Sequence, residues 1–189
     1  MMRKKQLLAI IDYQNDFVCG SLGFPGAQAL DEGIAQRAQE YLAIGAPVLI
    51  TYDTHTSDYL NTREGRALPV PHCQPNTEGW RLYGKTQELI SGTCSTSLLF
   101  PVRKTTFGLA PESLIALKEE LGDLDEILVV GLVSNMCVLA NVCTLQAAWP
   151  EAQIVVDASL CASFDPVLHE KTLDVLQGMQ VEVINRSQN

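Results

Sequence analysis

The chain has 189 residues, a length that suits one compact domain spanning positions 1–189 with a substantial core. Hydrophobic residues make up 47% and charged residues 19%, which is globular rather than disordered composition. The formal net charge of -9 argues against sequence-independent binding to nucleic acid or anionic membranes, since both need a basic patch.

At the N-terminus, basic residues precede an apolar run from Leu7 to Ile11 that stops at Asp12. The run is shorter than the ~7–15 residues of a signal-peptide core, so it reads as a buried strand. No later apolar stretch approaches the ~18–20 residues of a membrane-spanning helix. The expectation is a cytoplasmic protein. There are six cysteines and no CxxC pair, so neither a zinc ribbon nor a thioredoxin-type motif is expected. In a reducing compartment they read as free thiols, mostly buried.

Residues 6–12 (QLLAIID) read as a strand buried on both faces. Residues 29–45 have helical spacing and end at Gly45. Residues 47–53 (PVLITYD) are a second strand. Residues 54–97 are rich in Pro, Gly, Thr and polar groups, and a connection that long inside a compact domain is usually functional. Residues 98–103 (LLFPVR) are a weaker third strand, demoted by Pro101. A helix follows at 111–121, with Pro111 in its first turn and Gly122 past its end. Then come a strand at 125–131, a helix at 135–149 stopped by Pro150, a strand at 152–157, a helix at 166–178 and a closing strand at 180–184. Nearly all-apolar strands separated by helices imply an α/β fold: a three-layer α/β/α arrangement around a parallel sheet of about six strands.

In such sheets, ligands bind beyond the carboxyl ends of the strands. Four consecutive strands deliver reactive side chains there: Asp12; Asp53 with His55; Lys104; and, after a short turn, Cys137. Cys137 stands at the start of a predicted helix, where thiol pKa falls and backbone N–H groups are free to bind an oxyanion. The same position serves a buried structural cysteine, and Asp12 and Lys104 serve equally as a loop cap and a solvated base. Asp16 and Arg103 compete with them; lysine is preferred to arginine because its pKa can be tuned by burial. Asp-x-His on extended chain places both side chains on one side. With His72 from the long segment, and Glu64 as a fourth candidate, that donor set suits Zn²⁺, Mn²⁺ or Fe²⁺. The alternative is a polar loop with two surface histidines. Cys143 reads as core and His169 as solvent-facing.

DYQNDF at 12–17, DTH at 53–55, PHC at 71–73, Lys104 before TTF, and GLVSNMCV at 131–138 together resemble the isochorismatase-like cysteine hydrolases, in order and spacing over nearly the whole chain. The resemblance implies a six-stranded parallel sheet and an Asp12–Lys104–Cys137 triad. It also implies a cis peptide between Leu132 and Val133 that aims the Val133 and Cys137 N–H groups as an oxyanion hole. Within the family, the set Asp53, His55 and His72 is similar to that of nicotinamidases, whose metal holds the pyridine nitrogen of the substrate. The expected activity is therefore metal-assisted hydrolysis of a small amide, nicotinamide first, through a Cys137 thioester. Asp12 takes the thiol proton, while Lys104 and the helix terminus keep the thiolate accessible near neutral pH. Phe17, Trp80 and Tyr83 are candidate walls for the substrate ring, with ordinary packing as the alternative. Three departures bear on the substrate. Ser57, Asp58 and Tyr59 stand where a second histidine often follows the D-x-H motif, and Glu64 is the candidate replacement. SNMC replaces T-D-x-C before the nucleophile, and Lys104 is followed by a shortened T-T-F. The rival readings are a family member acting on another amide, a ureido compound or a vinyl ether, and a non-catalytic binding module. Homo-oligomers occur among relatives.

Overall fold

The computed structural model describes residues 4–187. One six-stranded sheet runs through it, all parallel, in the order β3-β2-β1-β4-β5-β6. Its strands are β1 (Gln6–Ile11), β2 (Val48–Asp53), β3 (Leu99–Lys104), β4 (Glu126–Leu132), β5 (Gln153–Ala162) and β6 (Glu182–Ile184). The helices are α1 (Asn15–Val18), α2 (Asp31–Ala43), α3 (Arg63–Ala67), α4 (Gly84–Gly92), α5 (Pro111–Leu121), α6 (Leu139–Ala148) and α7 (Pro166–Gly178).

Side-chain alternation along β1 explains the three layers. Leu7, Ala9 and Ile11 enter one core with Leu117 of α5, Val142 and Leu145 of α6, and Leu173 and Leu176 of α7. Leu8 and Ile10 enter the other with Ile34, Ala38 and Tyr41 of α2. Both faces of the sheet are thus covered, which is why these strands are apolar throughout. Pro101 is tolerated in β3 because that strand lies at the sheet edge. The connection after β1 runs to β2 on one side, while β4 pairs with β1 on the other. The sheet order therefore reverses between β1 and β4, where open parallel sheets leave a crevice. Gly131 makes the close approach there: its φ is 118°, and a Cβ would lie 2.1 Å from the Ile11 carbonyl oxygen.

Three expected elements differ. The helix expected at 135–149 is divided, because a wider π-helical turn, Ser134–Val138, precedes α6. β5 runs on to Ala162, well past 157; Asp157, read as a strand end, is instead buried within it and bonded by Asn185 and Ser159. The segment 54–97 is not structureless, since it holds α3 and α4. The first turn of α4 is fastened by Asp31, whose carboxylate accepts from Lys85 N and Thr86 N at 2.7 and 3.0 Å. Among the described residues, no helix is long and apolar enough to cross a membrane.

Candidate active site

β1 ends one residue before Asp12, whose φ of 45° turns the chain out of the sheet. Its carboxylate is aimed by Thr51 of β2, whose hydroxyl donates to Oδ1 at 2.6 Å and accepts the Asp12 N–H at 3.1 Å. Lys104 is the last residue of β3 and the register partner of Asp53 at the end of β2. Its ammonium lies 2.6 Å from Asp12 Oδ2, 3.5 Å from Asp53 Oδ1 and 3.6 Å from Cys137 Sγ, and donates to the Thr106 carbonyl at 3.0 Å. The Asp12 contact is the closest of these and makes Lys104 the main charged partner of Oδ2. All four side chains are buried.

Burial sets the protonation of this group. It pushes the Cys137 thiol well above its ordinary value, with Asp12 reinforcing the shift and Lys104 opposing it. It also raises Asp12, against the pull of Lys104. Burial works against the Lys104 charge as well, but Asp12, Cys137 and Asp53 outweigh it and hold the ammonium above the usual lysine value. Burial thus favours the neutral thiol in the metal-free protein, and Lys104 is the group that opposes it.

Beside the triad, Asp53, His55 and His72 converge, with one donor atom from each within 4.8 Å of the others. Asp53 Oδ2 lies 2.9 Å from His55 Nε2 and 3.3 Å from His72 Nε2. Burial opposes ionisation of Asp53, but its bonds to the two imidazoles hold the carboxyl well below the usual range. His72 Nδ1 meets the Val70 carbonyl at 2.8 Å, which fixes the ring with Nε2 toward the cluster, as metal-binding histidines are commonly fixed. Glu64 Oε1 stands 3.7 Å from His55 Nε2. A buried carboxylate and two oriented imidazole nitrogens fit a divalent cation of the Zn²⁺ type. Tyr59, in the stretch that lacks a second histidine, packs on His55 and His72 at ring distances of 4.4 and 5.0 Å. Asp58 instead bonds Asn61 on the exposed side.

The DYQNDF segment assembles this cluster. Gln14 accepts from Asp53 N at 2.8 Å and donates to the Asp53 carbonyl at 3.0 Å, fixing the ligand-bearing backbone. Asp16 accepts from Cys73 N at 2.7 Å, tying down the residue after His72. His55 N bonds the Cys73 carbonyl at 3.1 Å, closing the two histidine segments on each other. Phe17 packs edge-on against His72 at 5.5 Å.

Cys137 sits in the π-helical turn after β4, and π-type turns are frequent at functional sites. The Leu132–Val133 peptide is cis. Asn141, fully buried, donates to the Cys137 carbonyl at 2.8 Å and the Phe107 carbonyl at 2.9 Å, and accepts from Leu109 N at 3.0 Å. It thereby clamps the cysteine turn to the loop that follows Lys104. Sequence reasoning missed Thr51, Gln14 and Asn141 as site supports, and weighed Asp16 as a rival of Asp12 rather than as the support of Cys73 N that it is. Their only signal was a polar residue inside an apolar stretch or a motif.

A cavity of about 570 Å³ opens onto Cys137, Asp53 and His72. Phe17 lines it, but Trp80 and Tyr83, the other two expected walls, do not. Trp80 stacks on Tyr52 at 4.9 Å beneath the Arg103 guanidinium, and Tyr83 packs edge-on against Tyr13 at 6.0 Å. The apolar lining comes instead from Phe24, Phe107, Met136 and Phe164. Cys143 is exposed rather than core, because the neighbouring Val142 and Leu145 take the inward face of α6. His169 is half-buried rather than free in solvent, and bonds Ser134 Oγ at 2.9 Å.

The isochorismatase domain model matches residues 6–188. The nicotinamidase PncA from Bacillus subtilis is 29% identical, with a TM-score of 0.83 over 95% of this chain and 98% of that one. A pyrazinamidase of Pyrococcus horikoshii in complex with zinc is 17% identical, with a TM-score of 0.78 over 96% and 99%. N-carbamoylsarcosine amidase from Thermoplasma acidophilum is 17% identical, with a TM-score of 0.77 over 98% and 99%. Comparison with curated proteins gives no match. A family match over nearly the whole chain, on a six-stranded parallel sheet with helices on both faces, leads to one conclusion: the chain belongs to the isochorismatase family.

Proposed function

We infer that this protein is a metal-assisted cysteine amidohydrolase, with nicotinamide as the substrate best supported: nicotinamide and water give nicotinate and ammonia. The observation that carries this reading is the reach of the Lys104 ammonium, 2.6 Å from Asp12, 3.5 Å from Asp53 and 3.6 Å from Cys137. Cys137, Asp53 and His72 face one cavity, and Asp12 stands behind them against Lys104. The chain is a hydrolase of amide C–N bonds, in keeping with its family and its amidase neighbours. Hydrolysis of nicotinamide would place it in NAD salvage in the cytoplasm.

Asp53, His55 and His72, with Glu64 as a fourth donor, would hold the cation; zinc fits this donor set, and manganese or iron are the alternatives. When bound, the metal supplies a Lewis-acidic anchor for a ring nitrogen, a positioning contribution. Asp12 takes the Cys137 proton as sulfur attacks the amide carbon. Its raised pKa makes it a stronger base than an ordinary aspartate. Lys104 stabilises the anionic charge as it passes between the two. The N–H groups of Val133 and Cys137 receive the oxyanion. Protonated Asp12 then delivers its proton to the departing nitrogen; the C–N bond breaks and a thioester remains. Water, deprotonated by Asp12, adds to the thioester. The C–S bond breaks, the carboxylic product leaves, and the thiol is restored.

A second reading is favoured by the rim. The cavity of about 570 Å³ exceeds what one pyridine ring fills, and its lining includes Arg63, whose side chain makes no ion pair or hydrogen bond among the described residues. A larger amide or ureido compound would use that space. An intact Asp–Lys–Cys set argues against a non-catalytic module.

The test is ammonia release from nicotinamide by purified protein, with Cys137→Ala and a chelated sample in parallel. Release lost in both controls supports the full reading. No release by the metal-loaded protein withdraws nicotinamide and directs the assay to larger amides and ureido compounds.

A further inference from the structure

The turn that carries Cys137 is fastened at three points. Asn141 donates to the Cys137 carbonyl at 2.8 Å. Ser163, just past β5, donates from Oγ to Asn135 Oδ1 at 2.7 Å. Ser134, itself buried, meets His169 Nδ1 of α7 at 2.9 Å. Only the third fastening contains a group that titrates near neutral pH.

We propose that His169 is a positioning residue for the reaction, fixing the Ser134 hydroxyl and through it the backbone between Val133 and Cys137. The proposal rests on the reading of Cys137 as nucleophile. Neutral His169 with its proton on Nε2 accepts the Ser134 O–H. The imidazolium can only donate from Nδ1, so Ser134 must become the acceptor and its own proton loses its partner. In a buried position, that loss is costly and falls on the turn that presents the nucleophile. The charged groups acting on His169 are Glu170 on its own helix and Arg186 in the C-terminal segment, while the turn presents the neutral Ser134. Burial, aided by Arg186 and opposed by Glu170, disfavours the imidazolium, so the bond keeps its neutral polarity at neutral pH. Acid reverses it.

Two variants separate positioning from packing. His169→Ala removes the partner. His169→Asn places a carboxamide oxygen near the position of Nδ1 but does not titrate. Nicotinamide hydrolysis and iodoacetamide alkylation of Cys137, read by mass spectrometry, are followed from about pH 5 to 8. Wild type is expected to show an inflection below about pH 6.5 in kcat, and the same inflection on the alkylation slope. His169→Ala should lower kcat on the order of tenfold with KM within about twofold, from the loss of one buried hydrogen bond. His169→Asn should recover most of kcat and lack the inflection. Wild-type kcat in His169→Ala, a wild type without the inflection, or an inflection retained in His169→Asn overturns the proposal. If His169→Ala does not fold, the comparison of wild type with His169→Asn still decides. If wild type does not hydrolyse nicotinamide, the alkylation profiles decide alone, so failure of the substrate reading is told apart from failure of this one.

Discussion

Replacing Lys104 by Met separates the charge of this site from its packing, since Met retains an unbranched apolar stem of similar reach. Two carboxylates lose the ammonium, but unequally. Asp53 keeps His55 and His72 at 2.9 and 3.3 Å. Asp12 keeps the Thr51 side-chain bond at 2.6 Å and the Cys137 thiol, neither of which carries a positive charge. The cost therefore falls on Asp12. Stripping the partner from a buried charge costs ~3–5 kcal/mol. Asp12 can escape part of this by binding a proton, because burial already raises its pKa and Lys104 is the main opposing influence. The sign follows from linkage. The native state binds a proton that the unfolded chain, with aspartate near ~3.9, has released, so stability falls as pH rises. The fall is up to ~1.4 kcal/mol per pH unit until the folded pKa is passed. Urea denaturation of both proteins at about pH 5 and 7, with chelator present, reads the gap, which should widen toward pH 7. Adding Asp12→Asn to the variant should recover most of the loss, since no buried charge is then left alone. A gap that stays constant with pH, or no recovery in the double variant, would refute this assignment of the charges.

Cys137→Ala should abolish ammonia release and leave the urea midpoint nearly unchanged; residual turnover above a few per cent sinks the nucleophile assignment. In the metal-free, substrate-free protein at neutral to alkaline pH, alkylation of Cys137 should rise about tenfold per pH unit through and beyond pH 9, because burial raises the thiol and the thiolate is the reacting form. A plateau already reached below about pH 8 would mean that Lys104 outweighs desolvation. Asp16→Ala removes the acceptor of the Cys73 N–H and should weaken zinc binding by ~10–100-fold in a competition titration, as loss of an outer support does. Unchanged affinity would mean that the His72 segment is held by other contacts. Phe164→Ala should raise KM more than it lowers kcat, since Phe164 lines the cavity but stands 59% exposed at its mouth. An equal drop in kcat would place the ring against the reacting atoms instead.

The sheet was legible because its signal is local. Runs such as LLAII and ILVV admit little but buried parallel strands, and Pro111 and Gly122 punctuate α5 where expected. The expected site positions were legible from the strands as well: Asp53 and Lys104 end β2 and β3, Asp12 follows β1, and Cys137 lies in the turn after β4. What escaped was set by contacts between distant segments. Asn141 carries no local mark that distinguishes a buried clamp from a polar helix residue. β5 was read short because Asp157 resembles a strand terminus, and its partners Arg37 and Asn185 come from opposite ends of the chain. Trp80 and Tyr83 looked like cavity walls through their chemistry, yet Trp80 turns to Tyr52 and Arg103, and Tyr83 to Tyr13.

This division has a functional side. Asp53 and Lys104 are register partners at the ends of β2 and β3, so their spacing is inherited from the ladder itself, while Asp12, one residue past β1, is held by Thr51 of β2. A ladder spacing is hard to alter without altering the sheet, which makes Asp53, Lys104 and the Thr51 that aims Asp12 the rigid part of the site. The rim is built otherwise. Phe24, Arg63, Phe107 and Phe164 come from four separate connections and meet only around the cavity. Loops accept substitution far more readily than strand ends do. Substitutions at these four positions should therefore move substrate preference while leaving Cys137 reactivity in place. Changes at Thr51 or Gln14 should do the reverse, disturbing the geometry of every substrate alike. A variant of Arg63 or Phe164 that lost Cys137 alkylation, without loss of fold, would contradict that separation.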